Sequence, residues 1–174
     1  MSTARQPLRR GRSRTAAAAS PSKRAAELPP RRNLPLLLLQ ARESVIANFR
    51  PILNAQGVTE QQWRIVRALI EQGALEPRQI GDVCRISSPS LAGVLARMDE
   101  QDLVKRERMA SDLRRVSVSA TAKSRAMAAK MAPQIEAVYR TIETRVGSAF
   151  VEQFIGTLDR LISLLGPAPA GEEG

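Results

Sequence analysis

Leu103-Val104-Lys105-Arg106-Glu107-Arg108-Met109-Ala110-Ser111-Asp112-Leu113-Arg114-Arg115-Val116-Ser117-Val118-Ser119-Ala120 is the stretch that decides the fold. Its first part alternates, with Val104, Arg106 and Arg108 on one side and Lys105, Glu107 and Met109 on the other. From Arg114 onward Val116, Val118 and Ala120 share a side. Successive strand side chains point to opposite faces, so both runs read as short strands. Ala110-Ser111-Asp112-Leu113 joins them, giving a hairpin with a polar, basic tip. Asp112 and Arg114 are two apart and share a face of an extended chain. A carboxylate so placed can orient a guanidinium through charge-assisted hydrogen bonds. An Arg held this way fits a narrow DNA minor groove. A surface ion pair worth ~0–1 kcal/mol explains the same two residues.

Upstream, the sequence reads as helices. Leu34 to Leu53 forms a first helix, with Pro35 tolerated in its first turn and Pro51 near its end. Thr59 and Gln62 have capping-box spacing, and Trp63, Val66 and Ile70 follow at helical steps. Gly73 ends that helix. Pro77 suits a first helical position, and Ile80, Val83 and Cys84 make the apolar face of a short helix. Ser87-Ser88-Pro89-Ser90 starts the next helix, Ser88 to Glu100. Leu91, Val94, Leu95 and Met98 line its inner face, and Ser90, Gly93 and Arg97 the opposite one.

Downstream, Thr121 caps a long helix whose apolar stripe is Met127, Met131, Ile135, Val138, Ile142 and Val146. Pro133 falls inside it and is expected to kink or split it. A last helix carries Phe150, Phe154, Leu158, Leu161 and Leu165. Together with Leu36 and Leu37 these stripes exceed what one small domain buries. A symmetric dimer interface formed by Leu36, Leu37, Phe150, Phe154, Leu158 and Leu161 is the expected use.

Charge narrows the partners. The chain has 174 residues and a net charge of +10, which favours a polyanionic partner, either nucleic acid or an anionic membrane surface. Residues 1–33 hold nine basic side chains (Arg5, Arg9, Arg10, Arg12, Arg14, Lys23, Arg24, Arg31 and Arg32) against the one acid Glu27. This segment has few large apolar side chains and is expected to be a disordered basic arm. A sequence-blind DNA-binding arm, an inert extension and a transit peptide all fit it. Residues 166–174 read as a disordered tail. The chain has no His and one Cys. That removes the usual general base, the Ser-His and Cys-His nucleophile pairs and any multi-Cys zinc site. Neither an enzyme, a metal nor a cofactor is expected. Aromatics are 3%, too few for a single-strand stacking platform. No apolar run approaches the ~20 residues that span a bilayer, and no membrane partner is expected. Cys84, on the apolar face of a short helix, reads as a buried small residue rather than a reactive thiol.

Helix, helix, helix and then a basic two-stranded hairpin is the order of a winged helix-turn-helix. The expected fold is therefore mainly α with a small β-hairpin. The winged domain spans about 56–120, and helices 34–53 and 121–165 form a dimerisation domain. In that fold the third helix enters the major groove and the hairpin reaches the minor groove or backbone. The expected DNA-binding set is Ser87, Ser88, Pro89, Ser90, Gly93 and Arg97 on the helix and Ser111, Asp112, Arg114 and Arg115 on the wing. Arg97 is best suited to guanine or a phosphate. Read alone, the serines also fit an ordinary helix start.

Asp112-Leu113-Arg114, then Val118 and Thr121, resembles the wing signature of MarR-type transcriptional regulators. Ala120 and Ser124 depart from that signature, which has Leu and Gly there. Leu38-Leu39-Gln40-Ala41-Arg42-Glu43, Phe49-Arg50-Pro51 and Thr59 through Arg67 look like the homoprotocatechuate-operon repressor branch. The resemblance covers about Leu34 to Leu165. It implies a bacterial, cytoplasmic homodimer, nucleoid-associated when bound to a pseudo-palindromic operator. It also implies release by a small aromatic carboxylate of hydroxyphenylacetate, cinnamate or hydroxynicotinate type, in aromatic catabolism. Relatives place that ligand near the first helix and the start of the second, which here means Gln40, Glu43, Ser44, Trp63, Arg64 and Arg67. Trp63 equally fits the core, and the two arginines fit surface charges or DNA-backbone contacts. An architectural, weakly sequence-specific DNA binder driven by the basic arm is the alternative.

Overall fold

The structure, a computed structural model, describes residues 32–109 and 112–166. The basic arm up to Arg31, Ser111 at the hairpin tip and the tail after Gly166 lie outside these residues. The chain divides into units 1–34 and 35–174, and the second carries the features below.

The element order is α1 (Leu34–Ile46), α2 (Arg50–Ala55), α3 (Glu60–Gln72), α4 (Pro77–Cys84), α5 (Ser88–Glu100), β1 (Val104–Met109), β2 (Asp112–Ala120), α6 (Ala122–Val146) and α7 (Ser148–Leu165). The expected single helix from Leu34 to Leu53 is instead two. Pro51 has no N–H to offer Ala47 and its ring crowds that carbonyl. The Asn48 amide meanwhile donates to the Ser44 carbonyl at 2.7 Å, and α2 restarts with Pro51 in its first turn. The capping box of α3 is present, with Thr59 Oγ1 accepting from Gln62 N at 3.2 Å and Gln62 Oε1 from Thr59 N at 2.9 Å.

The core lies among α3, α4, α5 and the wing. Ile65, Leu69, Ile80, Met98, Val104 and Val118 are fully buried there. Burying each such side chain stabilises by about 1.5–3 kcal/mol. All four inner residues of α5 are buried as expected. Two expected core positions are not, because Ile70 and Val83 are exposed. The inward arc of α3 centres on Ile65, Val66 and Leu69, leaving Ile70 at its edge. On α4 that arc takes Gly81 in place of Val83: a Cβ on Gly81 would stand 3.2 Å from the Ile86 carbonyl, so the glycine permits the close α4–α5 corner.

β1 and β2 pair antiparallel from Val104↔Ala120 to Arg108↔Val116. Leu75, between α3 and α4, adds a single bridge to Val118, with Val118 N donating to Leu75 O at 2.8 Å and Leu75 N to Val118 O at 3.0 Å. The hairpin alone was expected. β2 also begins two residues before the expected Arg114, inside the expected turn, because Met109 pairs with Asp112 across a register shift. α6 runs unbroken through Pro133, and the break comes at Gly147, where φ is 90°. Neither α1 nor α7 buries any residue within this chain.

Candidate nucleic-acid interface and adjoining cavity

α5 shows a small, hydroxylated end to solvent. Ser88, Pro89 and Ser90 are exposed, Ser87 half-buried, and Ser87 Oγ donates to Ser90 Oγ at 3.1 Å. Ser87 occupies the N-cap position without a side-chain cap bond, which leaves the first backbone N–H groups of α5 open to an acceptor. One turn on, a Cβ added to Gly93 would lie 3.6 Å from Arg97 Nη1, so Arg97 folds back across the glycine. Its guanidinium has no partner among the described residues.

At the wing, Asp112 does not pair with the Arg114 guanidinium. Its Oδ1 accepts from the Arg114 backbone N–H at 3.0 Å, the two-residue reach of an Asx turn. The carboxylate therefore fixes the chain at Arg114, while the guanidinium has no partner among the described residues. The next side chain behaves oppositely. Arg115 is ion-paired to Glu76 at the N-cap of α4, its Nε donating to Glu76 Oε2 at 3.3 Å. That hydrogen bond holds the Glu76 carboxyl below its usual range. Arg115 thus ties wing to helix, whereas Arg114 offers its charge outward.

A cavity of about 430 Å³ opens between α3 and α6. Trp63, Arg67 and Ile70 line it from α3, and Ala132, Ile135 and Tyr139 from α6. Trp63 is half-buried against the core. Arg67 donates from Nε and Nη2 to Glu71 Oε1 at 3.0 and 2.7 Å. Glu71 first, then the Tyr139 phenol, raise the Arg67 pKa and keep it charged. Five N–H donors belong to a guanidinium, so two spent on Glu71 leave others for a ligand. A planar acid would find a flat wall, a cation and a phenol here. A larger hollow of about 690 Å³ between α4, α5 and β1 has Arg78, Asp82, Ser88 and Arg106 at its edge but no aromatic ring.

The pattern of the MarR family matches residues 56–115, from the end of α2 into the wing. The homoprotocatechuate degradative operon repressor of Escherichia coli is 37% identical over 132 residues, covering 76% of this chain and 89% of the relative. The chain belongs to the MarR family. Solved structures agree. The transcriptional regulator PA4135 superposes with a TM-score of 0.74 at 40% identity, over 76% of this chain and 98% of that one. NadR in complex with 4-hydroxyphenylacetate gives 0.68 at 32% identity, over 79% and 97%. The protein is thus a MarR-type DNA-binding transcriptional regulator with a winged helix-turn-helix, α4 and α5 forming the helix pair and β1–β2 the wing. No helix among its described residues is long and apolar enough to cross a membrane.

Within this MarR-type frame the expected ligand residues separate. Trp63 and Arg67 line the cavity; Gln40, Glu43, Ser44 and Arg64 do not. Ser44 Oγ donates to the Gln40 carbonyl at 2.9 Å, a bond within α1. Glu43 pairs with Arg42 and Arg50, and the Arg50 hydrogen bond lowers its pKa. Arg64 turns away to the Cys84 carbonyl at 2.9 Å. Tyr139 was missing from the expected set. Val138 beside it belongs to the apolar stripe, which hid the more informative fact that Tyr139 is the single tyrosine. Cys84 is buried, and burial pushes its thiol pKa up, which favours the inert form.

Proposed function

We propose that this MarR-type regulator is a homodimeric repressor of a pseudo-palindromic operator, released when a small aromatic carboxylate fills the α3–α6 cavity. The observation that carries this reading is the meeting of Trp63, Arg67 and Tyr139 in one hollow. A relative at 32% identity has been solved with 4-hydroxyphenylacetate, a ligand of the chemistry such a hollow accepts. Residues 56–120 read the duplex, with α5 in the major groove and Arg114 in the neighbouring minor groove. Ser87, Ser88, Pro89, Ser90, Gly93 and Arg97 form the major-groove surface. Residues 34–53 and 121–165 form the dimer. Its support is exposed apolar surface on α1 and α7: Phe150 is 55% exposed and stacks on Phe154 at 5.9 Å, and Leu36, Leu39, Ile155 and Ile162 are also exposed.

The test is footprinting and gel-shift titration of the chain's own promoter DNA with and without 4-hydroxyphenylacetate, beside thermal melts with the same acid. Footprints about one duplex turn apart are expected, with loss of the shifted band as the acid is added. A site-specific ligand at 100 times its Kd adds about 2.7 kcal/mol to stability, so the melting temperature rises by several degrees. Sequence-blind coverage of the DNA that disappears on deleting residues 1–33 would overturn the repressor reading in favour of an architectural binder. Under the repressor reading that deletion only weakens binding and flattens its salt dependence.

A further inference from the structure

Two polar contacts of α3 bracket α5, one at its C-cap and one at the end of α4, before the corner that leads into it. Gln62 Nε2 donates to Gln101 Oε1 at 2.8 Å, just beyond the C-terminus of α5. Arg64 Nη1 donates to the carbonyl of Cys84, the last residue of α4, at 2.9 Å. Arg85 follows in the left-handed region at φ 51°, a strained conformation for a residue with a Cβ. From that corner the chain reaches α5 through Ile86 and Ser87. Strained positions that absorb backbone rotation serve as hinges. Arg64 Nε is buried without a hydrogen-bond partner. The acid beside it, Glu60, stands 3.9 Å away and is already paired with Arg42 of α1. The guanidinium therefore leans on the Cys84 carbonyl. Trp63, its immediate neighbour on α3, lines the cavity.

We propose that Arg64 couples the cavity to α5. A ligand wedged between α3 and α6 displaces α3, and Arg64 passes that displacement to the Cys84 carbonyl and the Arg85 corner. The far end is tied to α6 as well, Lys123 Nζ donating to the Gln101 carbonyl at 2.6 Å, so α5 tilts about its C-terminus and carries Ser88 and Ser90 off the groove. The apolar α3–α5 packing is non-directional and can slide; a hydrogen bond is directional and transmits rotation. Arg64 is thus a positioning residue, touching neither ligand nor DNA. The inference rests on the effector reading above.

The experiment compares wild type, Arg64→Met and Arg64→Lys, each as the full chain. For each, operator affinity is titrated with and without saturating 4-hydroxyphenylacetate, and the ligand-induced rise in melting temperature is recorded. Wild type is expected to lose about tenfold or more in operator affinity on adding the acid, within the usual range of coupling between sites. Arg64→Met keeps the melting shift but loses less than about twofold in operator affinity. Arg64→Lys, with a point charge in place of the planar fork, falls between them. Full release of either variant, or loss of the melting shift together with release, would overturn the coupling role. A wild type that neither shifts in melting nor leaves the operator would instead overturn the effector reading, and the coupling with it.

Discussion

Arg114 and Arg115 are neighbours of equal charge with different attachments. Asp112 pins the backbone of the first and leaves its head unpartnered among the described residues, while Glu76 takes the head of the second. Arg114→Ala should therefore cost about 1–3 kcal/mol of operator affinity with the oligomeric state unchanged, read by gel shift and sedimentation. The Arg115–Glu76 pair is exposed and acts on wing position, and its signature is a pH dependence. Glu76 has a folded pKa below its unfolded one, so its contribution is present above the ordinary carboxylate range. It is lost as pH falls through the folded value. Glu76→Gln should lower the melting temperature slightly at neutral pH, and the gap to wild type should close in acid; melts across the carboxylate range check this. In the cavity, Arg67→Met should abolish the melting shift with 4-hydroxyphenylacetate while operator affinity in its absence stays within about threefold of wild type. The Asp112–Arg114 spacing was legible in the sequence. Which Arg114 atom the carboxylate would hold was not, because a side chain two residues back can reach backbone and guanidinium alike.

On α5, Gly93 carries two opposed demands. A glycine inside a helix costs about 1 kcal/mol relative to alanine, and an added Cβ would meet Arg97 at an ordinary contact distance of 3.6 Å. Gly93→Ala should thus raise stability by about that amount, measured by thermal or urea unfolding, while the proposed major-groove role of Gly93 predicts a fall in operator affinity by gel shift. Elements set by neighbours in sequence were readable in advance: the Thr59–Gln62 box, the Thr121 cap and the inner face of α5 are all local patterns. The break at Asn48 depends on a side chain outbidding the helix for a carbonyl, which periodicity does not register. The Leu75–Val118 bridge joins residues far apart in the chain, and a single extended residue has no alternation to betray it.

For the whole molecule, most of the exposed apolar surface lies on α1 and α7, at the two ends of the described fold. Phe150 and Phe154 stack on each other in the open. Phe150→Arg removes only the stacking on Phe154 and no buried residue of this chain, so the subunit should keep its helical content while the proposed dimer and operator binding are lost together; sedimentation and circular dichroism separate the two. Leu158, half-buried within the chain, would confuse folding with assembly. The order of elements was enough to place the reading head and the surplus stripes. The cavity was only half legible, since α3 and α6 meet there from distant parts of the sequence. The Leu75–Val118 stitch has a practical outcome for anyone exchanging target preference between relatives. A transplant that began at α4 would set the incoming wing against the host's own residue at this bridge. The swappable cassette starts at Leu75 and runs through Ala120, and chimeras cut there should graft one regulator's address onto another's sensor.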